Sequence, residues 1–186
     1  MPPRLAPLEP PYDPALAAEL SAMMPPGHEP LRLFRTLAHN PRVLGKIRAG
    51  NLLDRGSLER RDRELVILRT CARAGCEYEW GVHAAFFAAR VGIGDAELRA
   101  TAQGRWDDPA FDARARALVR LADELHDGAA PSDACFAELA AHFEPAQWVE
   151  LLALAGFYRL IAYVANGLRV ELEPFAARFP DPAPPA

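Results

Sequence analysis

The chain has 186 residues, 51% of them hydrophobic, which is enough to bury a core as one domain and too few for two independent ones. Its formal net charge of -4 suits a soluble protein and argues against a broad electropositive surface for nucleic acid or membrane lipid. Three cysteines, Cys71, Cys76 and Cys135, form no even-numbered framework, so reduced thiols and a cytoplasmic location are expected.

Helix punctuation recurs along the chain and β-type alternation is nearly absent, so the expected fold class is all-α. Residues 1–12 are rich in proline and read as an extended arm, without the basic and apolar succession of a secretory signal. Asp13-Pro14 supplies an N-cap and a first-turn proline for a short helix that stops before Pro25-Pro26-Gly27. Leu31 to Ala38 gives a second, and Asn40-Pro41 starts a third that reaches about Leu52 before Asp54-Arg55-Gly56 breaks it. From Ser57 or Leu58 to about Ala74 the pattern is strongly helical, with Glu64, Ile67, Leu68 and Cys71 along one stripe.

Gly75 and Gly92 bracket the next helix, and Asp95 to Gly104 delimit another. Asp108-Pro109 is expected to open a helix running to His126, Ser132 to cap one more, and Glu144-Pro145 to begin a long final helix through Gly167. The apolar run Val149 to Ala165 inside it is broken by Glu150 and Arg159 and is short for a bilayer span, so it reads as buried. One domain over residues 13–178 and a flexible proline-rich tail over 179–186 complete the expected organisation.

Chemistry concentrates in Cys76-Glu77-Tyr78-Glu79-Trp80-Gly81-Val82-His83, with Glu64 one helix upstream. On a helix beginning near Tyr78, Glu79 and His83 stand four apart and share a face, while Trp80, Ala84, Phe87 and Val91 form a separate apolar stripe. A carboxyl on an apolar face, as at Glu64, is either part of a buried ion pair with an arginine such as Arg63 or Arg69, or a proton-exchanging group raised by desolvation. Cys76 just before a helix is either a small packing residue or a thiol acidified by the helix N-terminus and His83, with Glu77 and Glu79 opposing that acidification. The spacing of Glu64, Cys76, Glu79 and His83 matches no established zinc arrangement, so no metal is expected. Leu118, Leu121 and Leu125, together with the final helix, offer more apolar surface than a monomer readily conceals, which points to a homo-oligomer.

Arg63-Glu64 followed by Leu65-Val66-Ile67-Leu68-Arg69, then Cys76-Glu77-Tyr78-Glu79-Trp80 and His83, resembles the signature of the carboxymuconolactone decarboxylase family, within the alkylhydroperoxidase D-like superfamily, most clearly over residues 60 to 110. The resemblance implies an oligomeric helical bundle and, in its decarboxylase branch, a lyase acting on a small organic acid or lactone with no cofactor. Glu64, Glu79 and His83 would then handle protons, and Tyr78 would donate a hydrogen bond. The peroxidase branch carries C-x-x-C-x-x-x-H, and here Glu79 stands where its second cysteine belongs. A carboxylate cannot resolve a sulfenic acid as a disulfide, so acid/base chemistry is favoured over peroxiredoxin-like activity centred on Cys76. A non-catalytic, oligomeric ligand-binding protein is the third reading.

Overall fold

The computed structural model describes residues 2–181, and among them every regular element is helical. The helices are α1 (Pro14–Ala22), α2 (Arg32–Leu37), α3 (Pro41–Ala49), α4 (Arg60–Arg73), α5 (Glu77–His83), α6 (Asp95–Gln103), α7 (Ala113–Gly128), α8 (Asp133–Ala140) and α9 (Pro145–Leu168).

The start signals act as their chemistry requires. Asp13, Asn40, Asp112 and Ser132 each accept a first-turn amide, and Glu144 and Gln147 form a reciprocal capping box that opens α9. One boundary differs from the sequence reading. Asp108 accepts the Ala110 amide in a turn, and α7 begins four residues beyond Pro109 under the cap of Asp112.

Helix α4 is the centre of the fold and packs against α5, α6, α7 and α9. Leu65, Val66, Ile67 and Leu68 are four consecutive residues at 1% exposure or less, so neighbours surround this helix and no solvent face remains in its middle. Its buried charges are matched across those neighbours. Asp62 accepts from Arg114 of α7 at 2.7 Å, and Arg69 makes a two-pronged contact with Asp123 of α7 at 2.6 and 2.9 Å.

The turn from α4 into α5 sets the position of the chemical cluster. The Cys76 amide donates to Cys71 O and the Gly75 amide to Ala72 O, both at 2.9 Å, with Gly75 in the left-handed region at φ +61. This is a Schellman closure, and Cys71 and Cys76 occupy the two positions whose side chains commonly seal such a turn with an apolar contact. Both are fully buried.

α5 ends earlier than the sequence pattern suggested. Ala84–Ala88 form a π-helical turn and Ala89–Val91 a 3-10 turn before the left-handed Gly92. The wider π turn breaks the expected α-periodic stripe: Trp80 is buried with its indole donating to Thr101 at 3.0 Å, while Phe87 is only partly buried.

α9 has a buried side made by Leu151, Leu154, Tyr158, Ile161 and Ala165, and Val149, Leu152, Leu160 and Tyr163 remain exposed along it. By length and composition it could cross a membrane, with mean hydropathy 1.5 over its most apolar window, and 39% of that window is buried. The sequence reading of a buried helix therefore holds for one side only.

Segments near both ends, among the described residues, lie against this body. The arm is fastened by the Arg4 amide to Leu168 O at 2.9 Å and by Glu9 to Arg35 at 2.8 Å. After α9 the chain returns across α5. The Ala177 amide donates to Gly81 O at 3.1 Å, the Phe179 amide donates to Glu77 Oε1 at 3.0 Å, and the Phe179 ring rests on Trp80 with centroids 5.2 Å apart. Gln103 donates to the carbonyls of Pro180 and Asp181. Residues 179–181, expected to be free, are thus tied down because Glu77 and Gln103 supply partners for their backbone; residues 182–186 of the expected tail lie outside the described residues.

This return strap depends on glycine at position 81, where an added Cβ would sit 2.2 Å from the Ala177 carbonyl oxygen. Gly81→Ala is expected to lower stability by about 1–3 kcal/mol through this overpacking, measured by urea denaturation. An unchanged midpoint would contradict the close approach.

Candidate active site

Glu64 of α4 and His83 at the end of α5 meet because the Schellman turn folds the second helix back on the first. His83 Nδ1 lies 2.6 Å from Glu64 Oε2, with the side chains 4% and 1% exposed. The other ring nitrogen, Nε2, is 3.4 Å from Glu79 Oε1, the contact set up by their i,i+4 spacing. That second distance is an ion-pair separation, longer than a well-formed hydrogen bond. The imidazole therefore sits between two carboxylates, held firmly on one side and loosely on the other.

The remaining carboxylate oxygens are tightly enclosed. Glu64 Oε1 has Arg63 Nε at 3.7 Å, and both of those atoms, like Glu79 Oε2, are buried without a hydrogen-bond partner. Arg63 spends its Nη1 on the carbonyls of Leu53 and Asp54. Both alternatives read from the sequence for Glu64 thus have a counterpart: an arginine is close by, and the direct hydrogen bond goes to histidine.

Burial by itself pushes the His83 imidazole toward the neutral form. Hydrogen bonding and charge from Glu64, with a further contribution from Glu79, overcome it and bring the pKa up to about 9. The two carboxylates thus favour the protonated ring at neutral pH, the form in which Nδ1–H donates to Glu64. Tyr158 packs edge-on to it at 5.1 Å and Phe87 lies at 5.2 Å.

Glu79 and His83 line a cavity of about 240 Å³. Its walls are apolar, built from the α1–α2 connection (Met23, Met24 and Pro25), from Leu31, Leu33 and Phe34 around α2, from Phe86 and Phe87 of the π turn, and from Phe157, Tyr158 and Ile161 of α9. Arg48, Asn51 and Arg90 add a few polar groups. An apolar hollow with a small number of placed polar groups is the usual form of a small-molecule site. A larger and more open groove of about 550 Å³ lies between α7 and α9 and contains none of Glu64, Glu79 or His83.

Two residues read from the sequence lie apart from this arrangement. Tyr78 points to the strap: its hydroxyl donates to Glu173 at 2.6 Å and accepts from the Leu33 amide at 3.0 Å. Its neighbour Glu79 faces the cavity because successive helical residues diverge by about 100°. Cys76 occupies the N-cap position of α5 but is completely buried and does not line the cavity. Desolvation pushes its thiol up to about 12, with the Glu79 charge adding to the rise and the backbone amides of Glu79 and Tyr78 opposing it. The acidification considered from sequence is outweighed by burial, so the thiolate is scarce at neutral pH.

Three contributors carried little sequence signal. Tyr158, within an apolar run, could have been noticed only as a phenol on the buried stripe of α9. Phe87 was read as part of an apolar stripe, and the π turn makes it, with its neighbour Phe86, a cavity wall. Among the described residues no cluster of His, Cys, Asp and Glu has metal-binding geometry.

Residues 41–124 match the model of the carboxymuconolactone decarboxylase family. No curated protein matches the chain in sequence. Among solved structures, it is similar to the alkylhydroperoxidase AhpD core of an uncharacterised peroxidase-related protein from Ralstonia eutropha JMP134, with TM-score 0.78 at 19% identity, covering 91% of this chain and 93% of that one. An uncharacterised peroxidase-related protein from Silicibacter sp. TM1040 also superposes with TM-score 0.78, at 17% identity and 92% coverage of both chains. The debrominase Bmp8, in a cysteine-to-alanine variant complexed with 2,3,4-tribromopyrrole, superposes with TM-score 0.75 at 16% identity, covering 94% of each chain. The family match over residues 41–124 and the helical architecture agree: this segment is similar to the carboxymuconolactone decarboxylase family, and the chain has the alkylhydroperoxidase D-like fold.

Proposed function

We propose that this protein is a proton-transfer enzyme, a carboxymuconolactone decarboxylase-like lyase acting on a small organic acid or lactone held in the 240 Å³ cavity. The observation that carries this reading is a buried imidazole with a carboxylate at each ring nitrogen, one 2.6 Å and the other 3.4 Å away, at the wall of an apolar cavity. In such a reaction the bond to the departing carboxyl group breaks, carbon dioxide leaves, and the electron pair stays on the carbon as a carbanion or dienolate. The Nε2–H of His83 supplies the proton that quenches it. Glu64 holds Nδ1–H and so fixes the ring, and Glu79 accepts or returns the mobile proton through the looser contact. Low polarity around the cavity strengthens each of these interactions.

The peroxidase reading is weakened by the sealed Cys76 and by glutamate at the position of the resolving cysteine. The solved neighbours described as peroxidase-related or as a debrominase are each below 25% identity and support the fold. The exposed apolar side of α9 supports self-association, so the reading includes a homo-oligomer.

Turnover can be followed by carbon dioxide release and by NMR in heavy water, with carboxymuconolactone and simpler unsaturated lactone acids as probes. Glu64→Gln and His83→Gln are expected to lower the rate about 10²–10⁴-fold, and Cys76→Ser to leave it within about threefold. Dependence on Cys76 with consumption of a hydroperoxide would replace this reading by thiol chemistry, and binding without turnover would leave a ligand-binding protein.

His83 also makes stability depend on pH. Its pKa in the folded protein, about 9, is above the ordinary 6.5, so the stabilisation it brings is complete below about 6.5 and is lost as pH rises through about 9. Melting temperatures should fall across that interval in the wild type and fall less in His83→Gln; identical profiles would contradict the charged imidazole. For the assembly, sedimentation should show an oligomer that the double substitution Leu152→Asp, Leu160→Asp dissociates, and a wild-type monomer at micromolar concentration would remove that element.

A further inference from the structure

The chain has four tyrosines, and three of them bond the hydroxyl to another group of the chain. Tyr12 donates to Leu8 O, Tyr78 donates to Glu173, and Tyr163 accepts from Arg159. Tyr158 is the exception among the described residues. It is 2% exposed, yet its hydroxyl makes no hydrogen bond with the described residues and is not among their sealed, unpartnered polar atoms. A phenol this deeply buried normally finds a partner. The residue lines the same cavity as His83 and Glu79, and its ring stands edge-on to the imidazole at 5.1 Å and 90°.

Resting on the proton-transfer reading above, we propose that the Tyr158 hydroxyl is the donor for the substrate's carbonyl oxygen, and hence a further catalytic residue of this site. Burial and the charges of Glu79 and Glu64 raise the phenol well above its ordinary pKa, so it remains protonated and can only donate to an oxygen that gains negative charge. When the carboxyl group departs and the electron pair delocalises onto that oxygen, the hydroxyl stabilises the dienolate while His83 delivers the proton to carbon. The donor task that the sequence suggested for Tyr78 thus passes to a residue eighty positions later, because Tyr78 is committed to Glu173. The substrate class that follows is a compact, otherwise apolar carboxylic acid that also carries a conjugating lactone or ketone carbonyl, with that oxygen toward α9.

Binding of acetophenone and of ethylbenzene, which share a phenyl ring and two-carbon side chain with and without the carbonyl oxygen, tests the assignment without any turnover. By NMR titration the wild type should bind acetophenone more tightly. Tyr158→Phe should reduce acetophenone affinity about fivefold to tenfold and leave ethylbenzene affinity unchanged, whereas Tyr78→Phe should leave the ratio of the two intact. The ethylbenzene titration reports whether Tyr158→Phe is folded with an intact cavity. Equal discrimination in wild type and Tyr158→Phe would overturn the role of Tyr158. Loss of turnover in His83→Gln is a separate readout, so the acid/base reading can survive that failure, and a positive result here does not depend on a rate having been measured.

Discussion

The site depends on one short contact, the hydrogen bond between Glu64 and His83 at 2.6 Å, nearly closed to water and joining α4 to α5. It does two things at once. It gives a buried carboxylate its direct hydrogen bond, and it favours keeping a proton on an imidazole that burial would strip. The charge it maintains also gives Glu79 a partner on the cavity side, so the resting proton position follows from a structural pairing.

The rest of the fold brings those two side chains together. α4 has neighbours on every side, and its buried charges are matched across two interfaces: Asp62 with Arg114 and Arg69 with Asp123 of α7, and Glu64 with His83 of α5. The left-handed Gly75 reverses the chain directly after α4, and the C-terminal strap holds α5 from outside through Gly81, Glu77 and Tyr78. At the end of α5 the π turn presents two phenylalanines to the cavity. Apolar walls around a charged imidazole are what a proton donor requires, since they exclude the water that would otherwise weaken each electrostatic contact.

Much of this was legible in the residues, for local reasons. Capping chemistry placed most helix starts, and i,i+4 spacing together with an acid on an apolar stripe singled out Glu79, His83 and Glu64. The failures share a cause, namely contacts made across long sequence separations. Tyr78 sits inside the signature, yet its hydroxyl is taken by Glu173, ninety-five residues away. Cys76 stands at a helix start that could have acidified it, and full burial, invisible to spacing, decides the opposite. Asp108-Pro109 has the composition of a helix start, while Asp112 makes the cap. Tyr158 lies in an apolar run where nothing nearby in sequence marks it as polar equipment of a site.

The most direct test of the account is the charge on one ring. In the folded protein labelled with nitrogen-15 at histidine, the His83 signals should show both nitrogens protonated at pH 7.5 and titrate only near pH 9, with the Nδ1 proton shifted strongly downfield by Glu64 and that shift lost in Glu64→Gln. A His83 ring that is already neutral at pH 7.5, or unmoved by removal of the Glu64 charge, would contradict it.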